Sequence, residues 1–115
     1  MKYLYLLYAD ESKMPAPGSP QMDQQQAAFG RYYEELSGKG MFKAGDPVQP
    51  SKAATTVRVR NGSTKTASGP ATTGAEQIIG FYVVEAKNQD EAIAYAAKVP
   101  SAAVGSIEVR PIIGS

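Results

Sequence analysis

Hydroxyl side chains and one carboxylate are concentrated between residues 68 and 76, in a stretch that also holds glycine and proline. Gly69 would let the backbone approach a ligand, the hydroxyls would hydrogen-bond it, and Glu76 would serve as acid or base. The hydroxyls belong to Ser68, Thr72 and Thr73. The same composition suits a plain connection between two strands, in which Gly69 and Pro70 turn the chain and polar groups satisfy backbone donors. The sequence leaves both interpretations open.

Other polar and aromatic residues offer a second set of candidates. Asp10, Glu11 and Asp46 lie just beyond expected strand ends, where carboxylates that meet would shift each other's pKa, although such residues also occur as plain solvated charges. Three arginines suit either an anionic ligand or a solvated sheet face, namely Arg58, Arg60 and Arg110. The seven tyrosines suit an aromatic ligand or a core. The catalytic candidates are therefore Glu76, Asp10 and Ser68, and the ligand-binding candidates are Ser68, Gly69, Pro70, Thr72, Thr73, Glu76 and Tyr82.

Composition excludes several classes of site. The chain of 115 residues has no cysteine and no histidine, which removes disulfides, thiolate catalysis and the usual general base and transition-metal ligand. A net charge of +1 gives no attraction for nucleic acid or an anionic membrane, and no apolar run is long enough to span a bilayer. We expect a soluble cytoplasmic domain that binds no metal, cofactor, nucleic acid or membrane.

The pattern along the chain predicts two helices and several strands. Strands are expected over residues 3–9, 41–44, 78–85 and 106–112, and a hairpin joins 54–60 to 63–67 through Asn61-Gly62. Residues 12–20 form a proline-rich loop that could overhang a site, and 45–47 read as a turn. One helix begins near Gln21 with a stripe of Met22, Phe29, Tyr33 and Leu36. The other begins at Asn88, capped with Glu91, and buries Ile93, Ala96 and Ala97.

This order predicts a single domain over residues 1–115, of α+β class. It is a ferredoxin-like antiparallel sheet with both helices on one face and an extra β-hairpin near the middle of the chain. The strands over 3–9 and 78–85 are apolar on both faces, and the chain is too short to cover both. The uncovered face, carrying Tyr3 and Tyr5 or their neighbours, therefore predicts a homodimer.

Residues 68–82, Ser-Gly-Pro-Ala-Thr-Thr-Gly-Ala-Glu-Gln-Ile-Ile-Gly-Phe-Tyr, resemble the motif of the YCII-related, or DGPF-domain, proteins. That motif usually reads Asp-Gly-Pro-Phe-Ala-Glu-Thr-Lys-Glu-Gln, then an apolar pair and Gly-Phe-Tyr. The opening Met-Lys-Tyr strand and the closing segment 105–111 also resemble the family. The resemblance implies a dimeric fold of the ferredoxin-like, dimeric α/β-barrel type, in a family with many members of unassigned function.

The departures from that motif bear on function. Ser68 and Ala71 stand where the family has Asp and Phe. The resemblance implies a mechanism with a His-Asp pair in one branch of the family, which this chain cannot use because it has no histidine. We therefore expect a small-molecule-binding or interaction module without established catalysis. The alternative is a small enzyme that performs acid/base chemistry on an organic substrate in a pocket near residues 68–82.

Overall fold

The computed structural model describes residues 1–115 and contains six strands and two α-helices. In chain order these elements are β1 (Lys2–Asp10), α1 (Pro20–Gly38), β2 (Phe42–Pro47), β3 (Thr55–Arg60), β4 (Ser63–Ser68), β5 (Glu76–Glu85), α2 (Gln89–Ala96) and β6 (Ser106–Pro111). Short 3-10 turns follow β1, precede β3 and follow α2.

Four of the strands form one antiparallel sheet in the order β2-β5-β1-β6. The two central strands are β1 and β5, which are also the two strands with apolar residues on both faces. Strands β3 and β4 form a separate two-stranded sheet. The predicted ferredoxin-like arrangement with an extra hairpin is confirmed.

One face of β1 supplies the core beneath both helices. Tyr3, Tyr5, Leu7 and Ala9 are buried, whereas the alternate residues from Leu4 onwards are only half-buried. The Tyr5 hydroxyl donates to the Ala92 carbonyl of α2 over 2.5 Å. Burial raises the pKa of Tyr5 to about 12, so this phenol stays protonated and keeps its hydrogen bond at every physiological pH. The helices thus cover the Tyr3–Tyr5 face and leave the opposite face of the sheet open.

Capping groups fix where both helices begin. The Ser19 hydroxyl accepts a hydrogen bond from the Met22 amide, and Pro20 occupies the first helical position. At α2 the Asn88 side chain accepts from the Glu91 amide, and the Glu91 carboxylate accepts from the Lys87 amide. The predicted capping pair is therefore confirmed, with the return bond one residue earlier than the usual capping box has it.

The hairpin turn also follows its sequence. Asn61 and Gly62 have φ values of 52° and 78°, as a two-residue turn requires. Strands β3 and β4 pair only with each other, and eleven of their twelve residues are exposed, Thr56 being half-buried. The hairpin consequently projects from the main sheet rather than extending it.

The predicted turn over residues 45–47 is wrong. These residues form the second half of β2, where Gly45 pairs with Tyr82 and Pro47 with Gly80. Pairing with β5 overrides the turn composition, because an edge strand tolerates a proline that has no N–H to donate. Gly45 is required there, since a Cβ would lie 2.6 Å from the Cδ1 atom of Tyr82.

The predicted buried faces of the helices are confirmed at Leu36 and Ala96 and wrong at Tyr33, Ile93 and Ala97. On α1 Tyr32 is buried with Leu36, while Tyr33 is 48 % exposed. On α2 the buried pair is Ala92 and Ala96, whereas Ile93 is 50 % exposed and Ala97 is exposed too. The physical reason is close packing, because two small alanines let α2 approach the sheet near enough for Tyr5 to reach its backbone. Neither helix is long and apolar enough to cross a bilayer.

Candidate functional site

A cleft of about 690 Å³ opens between α1, the β2 edge of the sheet and the loop that follows β1, and is named here the α1 cleft. Its wall is mainly apolar and aromatic. The helix contributes Met22, Phe29 and Tyr33, and the floor includes Ile79 and Tyr82 of β5. A cleft of this size and composition fits a small organic molecule.

Tyr82 lines this cleft and carries a hydroxyl group. The ring packs edge-on against Tyr32, with centroids 5.4 Å apart, and lies near Phe42 at 6.4 Å. Burial raises the pKa of Tyr82, so the group is a neutral phenol at physiological pH. Every side-chain hydrogen bond of the three buried tyrosines ends on a backbone carbonyl or on Met1, whereas the hydroxyl of the half-buried Tyr82 has no partner within the chain. It is free to bond a ligand.

Glycine keeps two strands close together beside Tyr82. A Cβ on Gly80 would lie 3.1 Å from the Asp46 carbonyl oxygen and 3.3 Å from the Cα of Pro47. The β1–β5 register also shifts between Leu7 and Tyr8, next to this glycine. Gly80 thus shows both the bulge and the close backbone approach that its position in the strand predicts.

The proline-rich loop borders the α1 cleft, as expected from its length. Four of its residues line the cleft: Met14, Pro15, Ala16 and Pro17. Across from it, Val48, Gln49 and Pro50 form a second border. The Glu11 carboxylate accepts hydrogen bonds from the Ser51 amide at 2.7 Å and the Ser51 hydroxyl at 2.5 Å, which lower its pKa. These bonds attach the segment after β2 to the end of β1.

A second cleft of about 570 Å³, the hairpin cleft, lies at the base of β3 and β4. It shares Val48, Gln49 and Pro50 with the α1 cleft, so that segment separates the two. The stretch between β4 and β5 forms one wall through Pro70 and Thr72. The Gln77 side chain fixes that stretch by donating to the carbonyls of Thr72 and Gly74 over 3.2 and 3.1 Å.

The segment between β4 and β5 resembles a family motif, and comparison with known proteins tests whether the chain belongs to that family. The YCII-related domain matches residues 1–114. The chain belongs to the YCII-related family. An uncharacterized protein of Rhizobium meliloti (strain 1021) is 32% identical over 117 residues, covering 97% of this chain and 92% of that one.

A solved structure shares the fold. It is 5-chloro-2-hydroxyhydroquinone dehydrochlorinase (TftG) from Burkholderia phenoliruptrix AC1100, in complex with 2,5-dihydroxybenzoquinone. The match has a TM-score of 0.52 and 22% identity, and covers 100% of this chain and 96% of that one. At this identity it supports the α+β fold of this YCII-related protein and nothing finer.

The structure divides the predicted ligand-binding residues between two places. Pro70, Thr72 and Glu76 line the hairpin cleft, and Tyr82 lines the α1 cleft. The remaining three, Ser68, Gly69 and Thr73, line neither of these clefts. Gly69 has a φ of 108° and lies at the base of the hairpin. Its amide donates to the Ala54 carbonyl, and its carbonyl accepts from the Thr56 hydroxyl. A role for these residues in binding stays a prediction.

Two of the catalytic candidates lie together, and the third lies elsewhere. Asp10 and Glu76 are cross-strand partners, and the Ser106 hydroxyl donates to Glu76 over 3.1 Å. Ser68 ends β4 and pairs with Thr55 instead. The Ser12 hydroxyl and amide both donate to Asp10 and lower its pKa, so that carboxylate is ionised at neutral pH. Acid/base chemistry by Glu76, Asp10 or Ser68 stays a prediction.

The remaining charged candidates act locally. Glu11 and Asp46 border the α1 cleft, but no group of three or more potential metal ligands assembles anywhere in the chain. Arg110 forms an ion pair with Glu108 of its own strand, as expected on a solvated sheet surface. Arg58 lies 3.5 Å from the Ala71 carbonyl, a long contact at the edge of hydrogen-bonding distance.

Most residues that line the α1 cleft are not predicted as site residues from the sequence. Phe29, Ile79 and the 48–50 segment were not among the predicted site residues, although the prolines of residues 12–20 indicated an overhanging loop. Phe29 reads from sequence as core, because its spacing fits a buried helical stripe. Only the folded arrangement shows that its ring borders open space.

Proposed function

We propose that this YCII-related protein binds a small organic molecule with a ring-sized apolar body in the α1 cleft. The observation that carries the proposal is a cleft of about 690 Å³ with aromatic walls, lined by Tyr82, whose hydroxyl has no partner within the chain. Apolar clefts with a few polar groups that fix orientation are typical ligand sites. The dehydrochlorinase with the same fold holds a hydroxylated quinone, which supports a ligand of similar size here.

A titration with para-ethylphenol, followed through the backbone amide NMR signals, tests the proposal. We expect the largest shifts at Phe29, Ile79 and Tyr82, with saturation at a single site. Tyr82→Phe should weaken binding roughly 2- to 10-fold, the loss expected for one hydrogen bond. Tyr95→Phe is the matched control, because Tyr95 lies on α2 and does not line the cleft. Shifts confined to the hairpin cleft, or equal losses in both variants, would refute the proposal.

A second candidate function is acid/base catalysis in the hairpin cleft. It is favoured by the pairing of Glu76 with Asp10 across the strands and by the Ser106 hydroxyl on Glu76. Its test is chloride release from chlorohydroquinone, the type of reaction for which the structural neighbour is named. Activity that Glu76→Gln abolishes and Glu34→Gln retains would favour catalysis. Absence of chloride release would leave the binding function as the better proposal.

We also propose that a second copy of the chain covers the open face of the sheet. On that face, away from the helices, Leu4 and Leu6 of β1 lie beside Val83 and Phe81 of β5, and Tyr8 lies beside Ile78. A half-exposed apolar face of this kind is typical of subunit contacts. The small net charge of +1 means that two copies repel each other only weakly.

A further inference from the structure

The β3–β4 hairpin, named here the hairpin arm, stands apart from the rest of the chain. Its strands pair only with each other, and Val57 and Val59 on one of its faces are each 58 % exposed. A two-stranded hairpin by itself is only marginally stable in water, so a contact with another surface would add the stability that it lacks. The radius of gyration is 15.9 Å, against about 13 Å for a compact domain of this length, as expected when an arm extends from the body.

The segment that contains the hairpin arm carries charge of a single sign. Residues 47–75 hold four of the twelve basic residues of the chain and none of its eleven acidic ones. The rest of the chain, named here the body, therefore has eight basic and eleven acidic residues. The net charge of +1 thus combines a positive arm with a negative body, and the arm of one copy is attracted to the body of another.

Two pairs of like charges lie within this pattern. Arg58 is directly opposite Lys65 in the hairpin arm, on the face away from the valines. In the main sheet Asp10 is directly opposite Glu76. Like charges that face each other across two strands destabilise a sheet, and none of these four residues takes part in an ion pair of the structure. Each pair would therefore gain from a partner of the opposite sign with the same cross-strand spacing.

The acidic pair belongs to the open face of the main sheet. Asp10 lies two residues beyond Tyr8 on β1, and Glu76 lies two residues before Ile78 on β5, so all four side chains share that face. The proposed subunit contact covers the same face. A second copy seated there brings its own residues next to the acidic pair.

We propose that the hairpin arm of each copy crosses to the body of the other, where its Arg58–Lys65 pair contacts the Asp10–Glu76 pair of the partner subunit. The inference rests on the proposed dimer and specifies the surfaces that the dimer joins. A two-fold dimer forms this contact twice, because each copy has one arm and one acidic pair. Since Glu76 lines the hairpin cleft, the arm of one copy completes the wall of a cleft in the other.

Charge reversal on each side of the contact, followed by sedimentation velocity, tests the proposal. The arm variant is Arg58→Glu/Lys65→Glu, and the body variant is Asp10→Lys/Glu76→Lys. Each should raise the dissociation constant of the dimer at least about 10-fold, because like charges then meet at both contacts. An equimolar mixture of the two variants should restore the dimer. In the mixed dimer the reversed arm meets the reversed body, and the unchanged arm meets the unchanged body.

Two further variants serve as controls. Arg31→Glu/Lys39→Glu makes the same change in net charge at exposed positions on α1 and just after it, away from the open face, and should leave the dissociation constant near its wild-type value. Asp10→Asn/Glu76→Gln keeps the shape of both acidic side chains and should weaken the dimer less than charge reversal does. It tests the contact even where a lysine at position 10 disturbs the turn that Ser12 forms with Asp10.

The outcomes separate the arm contact from the dimer itself. A wild-type protein that is monomeric at micromolar concentration would overturn both. An arm variant that weakens the dimer no more than Arg31→Glu/Lys39→Glu does would overturn the arm contact and keep the dimer, and loss of binding to a labelled DNA duplex in that variant would assign the positive arm to nucleic acid instead. A dimer that Asp10→Asn/Glu76→Gln leaves unchanged would overturn the assignment of the arm to the acidic pair.

Discussion

Glu11 and Ser51 are forty residues apart in the sequence and are joined by two hydrogen bonds at 2.7 and 2.5 Å. Glu11 borders the α1 cleft, and Ser51 borders the hairpin cleft. The pair therefore forms part of the partition between them. Its loss would leave the segment after β2, which lines both clefts, attached to β5 through the Val48 amide on the Ile79 carbonyl.

This contact makes part of the stability dependent on pH. The Ser51 hydroxyl and then the Ser51 amide hold the pKa of Glu11 below its usual value of 4.5. A depressed folded-state pKa contributes stability that is complete above the unfolded value and is lost as the pH falls through the folded value. Glu11→Gln should therefore lower the thermal midpoint at neutral pH.

The same variant should lose less additional stability than wild type between about pH 5 and about pH 3. Asp10 and Glu85 also have lowered pKa values and keep their partners in the variant, so its pH dependence should be reduced rather than abolished. Thermal unfolding at several pH values measures this. Parallel curves for the two proteins would contradict the role assigned to Glu11.

The contact of Gly45 with Tyr82 predicts a steric cost at the cleft. In Gly45→Ala the new methyl group would lie 2.6 Å from the Tyr82 ring and 2.9 Å from the Phe81 carbonyl. We expect a loss of about 1–3 kcal/mol in the free energy of unfolding, as for overpacking elsewhere, and a displaced Tyr82 ring.

Gly30→Ala is the matched control for that substitution. Gly30 lies within α1, where a Cβ would meet nothing within 4 Å. The same chemical change should stabilise the protein there by about 0.5–1 kcal/mol through helix propensity. Urea unfolding of both variants gives the comparison, and a Gly45→Ala protein as stable as wild type would show that β2 lies farther from Tyr82.

Local signals in the sequence were sufficient for much of the fold. Asn61-Gly62 requires a turn with positive φ, and Asn88 with Glu91 defines a helix start, so each prediction depended on residues close in sequence. The predicted turn over residues 45–47 was wrong because the extended form of this segment depends on pairing with β5, more than thirty residues away. The α1 cleft could not be predicted for the same reason, since residues from β1, α1, β2 and β5 meet there only after folding.

The buried hydroxyl of Ser101 indicates a substitution that should stabilise the protein. Its side chain is 2 % exposed, and its hydroxyl has no hydrogen-bond partner. A buried polar group without a partner costs free energy relative to water, so Ser101→Ala should raise the free energy of unfolding by about 1 kcal/mol. Ser51→Ala provides the contrast, because the hydroxyl removed there is bonded to Glu11 and stability should fall. A loss of stability in Ser101→Ala would mean that this hydroxyl has a partner such as a bound water.

The open face of the sheet predicts how subunits associate. Leu6 lies at its centre, between Phe81 of β5 and Glu108 of β6. A lysine at this position would place a charge in the proposed subunit contact, so Leu6→Lys should convert a micromolar dimer into a monomer in sedimentation velocity. Val104→Lys is the control, because Val104 is 79 % exposed and lies outside the sheet. Wild-type protein that sediments as a monomer at micromolar concentration would contradict the proposed dimer, and an unchanged Leu6→Lys dimer would place the contact on another surface.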